Sequence, residues 1–331
     1  MPNIELGVAL SDNARTKPVH DGVVRAEGID LRVTKVHPSE MFWRQLHYKE
    51  FEVSEMSMSS LLAARSAGDD TWVALPIFTS RQFFHTGILV REDAGIKTPA
   101  DLKGKRVAVP EYQQTAALWA RGILRHEFEV MPEDLHWFME RPPEQSHGGA
   151  TGFTPPPGVR LDYMDRNSNI GEQLMNGGVD ATLLYIADRN LIDRSRADLT
   201  LGEEIHTLFP DRRAEAVRYF QKTGFYPINH CVVVRKDIVK AYPWVPLNLY
   251  SMFLEAKQIA HTQQTAGLSV FLDAGLVDPS VETALNTDLF TYGVVAQRSI
   301  LETIAQYSFE QGLSPRQFEL DEIFYPPTLE L

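Results

Sequence analysis

Two stretches of this chain present reactive residues in the same way. One is HTGILVR, led by His85; the other is NHCVVVR, with His230 at its start. Each reads as a short apolar strand preceded by histidine and closed by arginine. Histidine suits proton transfer because its unperturbed pKa, about 6.5, lies near neutrality. If the two strands lie side by side where the chain crosses between domains, both rings face one cleft as an acid and a base. The other reading makes them structural donors to backbone groups near the crossing. Arg81 precedes His85 in TSRQFFH, and Arg15 lies in SDNARTKP after the first apolar run. A guanidinium fork fits a carboxylate, although either could equally be a turn arginine. Asp12, in the loop of Arg15, is either an acceptor for a ligand hydroxyl or a helix cap.

The stretch PADLKGKRVAVPEYQQTAALWARGIL, residues 99–124, carries the matching anion site. A short strand runs into Pro110, then a polar segment with Tyr112, Gln113 and Thr115, then a helical run. Free amides and the helix dipole at such a start favour a carboxylate. Ser57 and Ser59, in EMSMSS, form an analogous helix start earlier in the chain. Two helix ends facing one cleft suit a dianion. Cys231, inside CVVV, reads as a buried inert thiol. His136 and Trp137 read as core, and His126 as an exposed helix end.

These residues need a scaffold, and 331 residues is natural for two domains. A net charge of −12 argues against a nucleic-acid partner, which needs a basic face. It leaves room for a small anionic ligand in a locally opposed pocket. One cysteine allows no internal disulfide. The start, MPNIELGVALSDNARTKPVHDG, lacks the basic-then-apolar order of a secretory signal, so a cytoplasmic protein is expected. Periodicity predicts strands at Ile4–Leu10 and Ile29–Val36, a helix over Thr16–Val24, and a helix from Pro38. A strand and helix follow in FEVSEMS and SSLLAARSAG, then strands WVALPIF and HTGILV around a turn, TSRQF. A second α/β unit begins at Pro99, with strands at 106–109, 135–139, 159–164 and 180–185 and helices at 115–127 and 169–176. The Pro- and Gly-rich residues 141–158 read as a surface loop within it. The chain beyond Pro246 reads as mostly helical.

The expectation is an α/β protein of two domains. The first comprises residues 1–92 and 226–331; the second, 93–225, is inserted. Crossing segments fall near 90–95 and 224–229, and the ligand cleft lies between the domains.

PADLKGKRVAVPEY and GGVDATLL resemble the second domain of type II periplasmic-binding-protein folds. FEVSEMSMSSLLAARSAGD, ALPIFTSRQFFHTGILV, VPEYQQTAALWARGIL, LFPDRRAEAVRYFQKTGFYPINHCVVVRKDI and YGVVAQRSILETIAQYSFEQGLSPR together resemble the 4,5-dihydroxyphthalate decarboxylase family over nearly the whole chain. The segment YIADRN and a long 141–158 loop depart from that family's pattern. The resemblance implies loss of CO2 from a dihydroxylated aromatic dicarboxylate, with protocatechuate as product. His85, His230 and Asp12 would then serve catalysis. Arg15, Arg81, Ser57, Ser59, Tyr112, Gln113 and Thr115 would hold the substrate. No glycine-rich dinucleotide fingerprint, P-loop or clear metal-ligand spacing occurs, so no cofactor is expected. A divalent ion at Asp12, His20 or Glu55 is a weaker alternative. The partner is a small aromatic dicarboxylate, with neither nucleic acid nor membrane, and a homo-oligomer is compatible. The competing reading is a solute-binding protein for an organic acid that does no chemistry.

Overall fold

The computed structural model describes residues 2–199 and 204–331. In chain order the first half of the fold is β1 (Ile4–Leu10), α1 (Lys17–His20), β2 (Ile29–Lys35), α2 (Pro38–Tyr48), β3 (Val53–Ser57), α3 (Met58–Ser66) and β4 (Trp72–Arg81). There follow β5 (Leu89–Arg91), β6 (Arg106–Val109), α4 (Thr115–Phe128), β7 (His136–Met139), α5 (His147–Thr151), β8 (Arg160–Tyr163), α6 (Ile170–Met175), β9 (Ala181–Thr182), β10 (Ile205–Thr207) and α7 (Arg212–Thr223). The chain ends through β11 (Ile228–Arg235), α8 (Lys236–Ala241), α9 (Val245–Asp273), α10 (Val281–Leu285), α11 (Arg298–Glu310) and α12 (Leu320–Ile323).

Two sheets result, ordered β2-β1-β3-β11-β4 and β10-β5-β9-β6-β7-β8. β3 is buried along its whole length because it lies in the middle of the first sheet, under helices. β11 returns from the second unit and slots antiparallel between β3 and β4. That insertion closes the first sheet around a strand distant in sequence. α9 packs on α1 and β4, while α11 touches both α3 and α4 and so spans the two units. Among the described residues, no helix is long and apolar enough to cross a membrane.

Several expectations change. Leu89–Arg91 pairs with β9 and β10, so it belongs to the second sheet rather than to the first domain. The first crossing is therefore residues 82–88, not 90–95; the second does lie between Gly224 and β11. TSRQF is not a turn between strands, because β4 continues through Arg81. His85 falls in a 3-10 turn, Phe84–Gly87, whereas His230 lies within a strand. The two histidines are not counterparts. The helix expected over Thr16–Val24 shrinks to Lys17–His20, and the strand at 180–185 to two residues.

Residues 141–158 are the largest departure. Their N-terminal half is not a surface loop: Arg141, Ser146 and His147 are buried, and α5 packs on α2 and α3. The glycines make this approach possible. A Cβ on Gly149 would stand 1.9 Å from the Pro143 carbonyl oxygen, and one on Gly148 2.5 Å from Gln113 Nε2.

Gly122 plays the same part between α4 and α11, where a Cβ would meet the Tyr307 ring at 2.1 Å. Overpacking a core position typically costs about 1–3 kcal/mol. Gly122→Ala is therefore expected to lower stability by that order in calorimetry; an unchanged melting temperature would show that α11 packs loosely.

Candidate functional site

A cavity of about 320 Å3 lies between the two sheets. The first unit contributes His37, Ser39 and Phe42 from the start of α2, Ser57, Ser80, and His230 of β11. The second contributes Gln114, Thr115 and Ala116 at the start of α4, with Arg141, His147, Tyr185 and Asp188. The size suits one small organic molecule.

His230 is built from the sheet. In the β3–β11 register Val232 opposes Glu55 and His230 opposes Ser57. Residues two apart share a face, so the imidazole lies diagonally across from the Glu55 carboxylate, with Nδ1 3.0 Å from Oε2. Glu55 is fully buried and also accepts from the Ser11 amide at 2.8 Å, the Ser11 hydroxyl at 2.6 Å and the Thr79 hydroxyl at 2.7 Å. Burial alone would raise its pKa, but the His230 pair and the two hydroxyls prevail and hold it at about 2. Glu55 is thus held as an anion, and its Oε2 accepts from Nδ1–H of His230. Nε2 is left for a ligand. The Phe42 ring stands edge-on to the imidazole at 4.7 Å and restricts its rotation.

Opposite lies a buried charge knot. Arg141 Nε donates to Asp193 Oδ1, Nη1 to Glu111 Oε2 and Nη2 to the Ser39 hydroxyl, each at 2.8 Å. Glu111 Oε1 accepts from the Gly148 amide at 2.9 Å and from Ser146 Oγ at 2.8 Å. His147 sits between the units, with Nδ1 3.3 Å from Ser60 Oγ and Nε2 3.3 Å from the Ser39 carbonyl oxygen. Burial pushes its pKa down, against the pull of Glu111, so it stays neutral. His37 accepts from the Ser39 amide through Nδ1 at 3.3 Å, and burial pushes its pKa down too. Neutral His37 therefore carries its proton on Nε2.

The two helix starts do not both face the cavity. The Ser57 hydroxyl meets Thr115 Oγ1 at 2.7 Å, and the Ser59 amide donates to the same oxygen at 3.0 Å. Thr115 of α4 thereby caps α3, and Ser59 Oγ donates to the Gln113 carbonyl oxygen. The start of α3 is occupied by this hydroxyl knot between the units. The start of α4 is not: Gln114 gives no side-chain cap, and among the described residues no backbone carbonyl meets the Thr115 and Ala116 amides.

Of the residues singled out in the sequence, His230, Ser57 and Thr115 meet at the cavity. Ser59 and Gln113 lie just behind it, in the knot. His85 does not reach it; the ring is fully buried, with Nε2 3.0 Å from Glu215 Oε1, against Tyr219 and Phe209. Arg15 directs Nε and Nη2 to the Thr79 carbonyl oxygen at 3.1 and 2.8 Å and lies over the Phe290 ring. Arg81 binds the Tyr226 and Thr291 carbonyls and Gln297, because alternation along β4 turns Ser80 inward and Arg81 away. Asp12 is exposed and paired with Lys35. Tyr112 is buried against Arg121 and Trp137. Asp12, His20 and Glu55 do not converge, since His20 Nε2 is turned to the Ser11 carbonyl. Among the described residues, no three His, Cys, Asp or Glu side chains form a metal-binding group. Sequence reasoning passed over Arg141, His147 and His37. A buried role for the first two was hinted at by RPP and SHGG, whose glycines permit close approach; for His37 the signal was a histidine followed by proline at a helix start.

This two-sheet architecture with a cleft between the units is the periplasmic-binding-protein-like fold. The alkanesulfonate-binding protein SsuA of Xanthomonas axonopodis pv. citri, bound to MOPS, superposes with a TM-score of 0.54 at 13% identity, covering 98% of this chain and 99% of that one. The family described as ABC transporter, phosphonate, periplasmic substrate-binding protein matches residues 15–243. Among characterised relatives, the 4,5-dihydroxyphthalate decarboxylase of Comamonas testosteroni is 29% identical over 333 residues, 100% of this chain and 99% of the relative. That of Pseudomonas putida is 32% identical over 183 residues, 55% of this chain and 71% of the relative. The chain belongs to this phosphonate-type substrate-binding family and to the 4,5-dihydroxyphthalate decarboxylase family.

Two outcomes follow from the charges. Glu55 has a depressed folded pKa, so its stabilisation is complete above the ordinary glutamate value of 4.5 and declines as pH falls toward about 2. Denaturant midpoints of the parent should exceed those of Glu55→Gln at pH 6, with the gap narrowing steadily below pH 4.5; a constant gap would mean the carboxylate's charge is not what stabilises. Arg141→Met leaves Glu111 and Asp193 buried without their cation, an effect of about 3–5 kcal/mol. Equilibrium unfolding should register it, and a loss below 1 kcal/mol would place the two acids in water.

Proposed function

We propose that this protein decarboxylates a dihydroxylated aromatic dicarboxylate without oxidation, with 4,5-dihydroxyphthalate as substrate and protocatechuate and CO2 as products. The observation that carries this reading is the Glu55-backed His230, whose other ring nitrogen is free at a cavity that the uncapped start of α4 also lines. Membership of the decarboxylase family supplies the substrate class.

The chemistry asks for such a site. Direct loss of CO2 from an aromatic ring would leave an aryl carbanion of prohibitive energy. In 4,5-dihydroxyphthalate each carboxylate has a hydroxyl para to it. Deprotonating that hydroxyl pushes electrons onto the carboxylate-bearing carbon, which takes up a proton and becomes tetrahedral. The ring–carboxylate bond then breaks, its electron pair restores aromaticity, and CO2 leaves. The catechol oxygen regains its proton, so one proton is consumed overall.

In this reading His230 Nε2 accepts the hydroxyl proton, and Glu55 stabilises the imidazolium that forms. The carboxylate that stays rests on the Thr115 and Ala116 amides beside the Ser57 hydroxyl. Nε2–H of His37 and the charge of Arg141 face the opposite end of the ring. Because Arg141 is already matched by Glu111 and Asp193, the cavity holds little excess positive charge. The α4 amides thus carry much of the anion binding.

The family match and the SsuA-like fold also favour a second reading, a binding protein that holds an aromatic acid without turnover. Incubating purified protein with 4,5-dihydroxyphthalate, while following CO2 and protocatechuate, separates the two. Catalytic product supports the first reading; stoichiometric binding without product supports the second.

The histidines give a sharper test. Losing a general acid or base usually costs about 10²–10⁴-fold in rate. His230→Gln is expected to bind substrate nearly as the parent does and to turn it over at least ~100-fold more slowly. His85→Gln should lower thermal stability yet keep turnover within a few-fold of the parent. The reverse pattern would move the chemistry to the other side of the crossing.

A further inference from the structure

Arg81 is the residue that the cleft leaves unexplained. It is more than nine-tenths buried, yet among the described residues no carboxylate lies within ion-pair distance of it; Asp288 acts on it only from further off. Its Nη1 donates to the Tyr226 carbonyl and Gln297 Oε1, and its Nη2 to the Thr291 carbonyl, all neutral acceptors. Nε has no partner among the described residues. A buried guanidinium with neutral partners is costly, and burial lowers its pKa to about 10.

This side chain forms one wall of a second cavity, about 320 Å3, on the face of the crossing away from the cleft. The start of α11 forms another wall through Arg298, Ser299 and Ile300. That helix has 13 residues and no side-chain cap from Gln297. Among the described residues, no backbone carbonyl meets the Ser299 and Ile300 amides. The remaining walls include Phe220, Phe225 and Leu289. The one carboxylate present, Asp288, is already bound by Lys257 Nζ. A buried cation whose direct partners are all neutral, open helix amides and aromatic walls thus converge on one small space.

We propose that this cavity is a second ligand site, which takes an aromatic monocarboxylate with the carboxylate between Arg81 and the first amides of α11. An oxyanion there would satisfy the buried charge and the helix start together. The aromatic walls would cover the ring. The site touches both crossings, since Arg81 ends β4 just before the first and Thr223–Tyr226 make up the second. A bound acid would therefore touch both segments that join the two units. The inference does not depend on the decarboxylase reading.

Benzoate is the probe, because it lacks the catechol hydroxyls and second carboxylate of the cleft ligand. Titration into isotope-labelled protein, followed by amide NMR, should shift Ser299 and Ile300 saturably. Arg81→Gln removes the charge. Val295→Trp fills the cavity from a half-exposed position on its rim, so it serves if Arg81→Gln fails to fold. Arg81→Gln is expected to weaken the Ser299 and Ile300 response at least about tenfold, the usual effect of losing a charge-assisted hydrogen bond, and Val295→Trp to abolish it by occupying the space. Benzoate shifts confined to the cleft around Thr115 and His230, or parental affinity in Val295→Trp, would overturn the proposal.

Discussion

A carboxylate with no access to water lies in the first sheet, and the site depends on how it is satisfied. Glu55 draws donors from the end of β1, from β4 and from β11, so one side chain ties three neighbouring segments to β3. An unpaired charge in such a place would cost several kcal/mol. The donors are therefore as necessary to the fold as the acid is to His230. The network that keeps Glu55 ionised also sets the direction of the imidazole, so stability and the geometry of the proposed base draw on the same contacts.

The second unit is joined to the first by a similar device. Arg141 brings Glu111 and Asp193 of its own unit against Ser39 at the start of α2, while the Ser57–Thr115–Ser59 hydroxyls stitch α3 to α4. Both links are buried, and both border the cavity. The walls of the cleft therefore hold one another, and the groups that line it are fixed by contacts within the protein itself.

In this architecture helix starts at the ends of parallel strands present free amides, an arrangement that suits an anion. What sets this cleft apart from simple anion capture is an imidazole with one nitrogen committed to a buried carboxylate. That pair suits moving a proton, whereas the amides suit holding a charge. Our functional proposal rests on finding both around one cavity.

The chain by itself determined the two α/β units, the return of β11, the place of His230 on that returning strand, and the helix starts at Ser57 and Thr115. Each follows from local periodicity or from a residue type at a strand end. The matching of His85 with His230 failed because both lead apolar runs, and a run alone does not fix strand length. β4 extends through Arg81, which leaves His85 in a 3-10 turn facing Glu215. Arg15 and Arg81 looked like ligand forks, yet backbone carbonyls met them first. Arg141 and His147 were hidden in what reads as a polar loop, since only the docking of α5 on α2 and α3 buries them. Sequence fixes which groups can carry charge or protons. Which of them face one cavity depends on strand register and on contacts between residues 50 to 200 positions apart, such as Arg141 with Asp193 and Glu55 with His230, and these form only when the chain is folded.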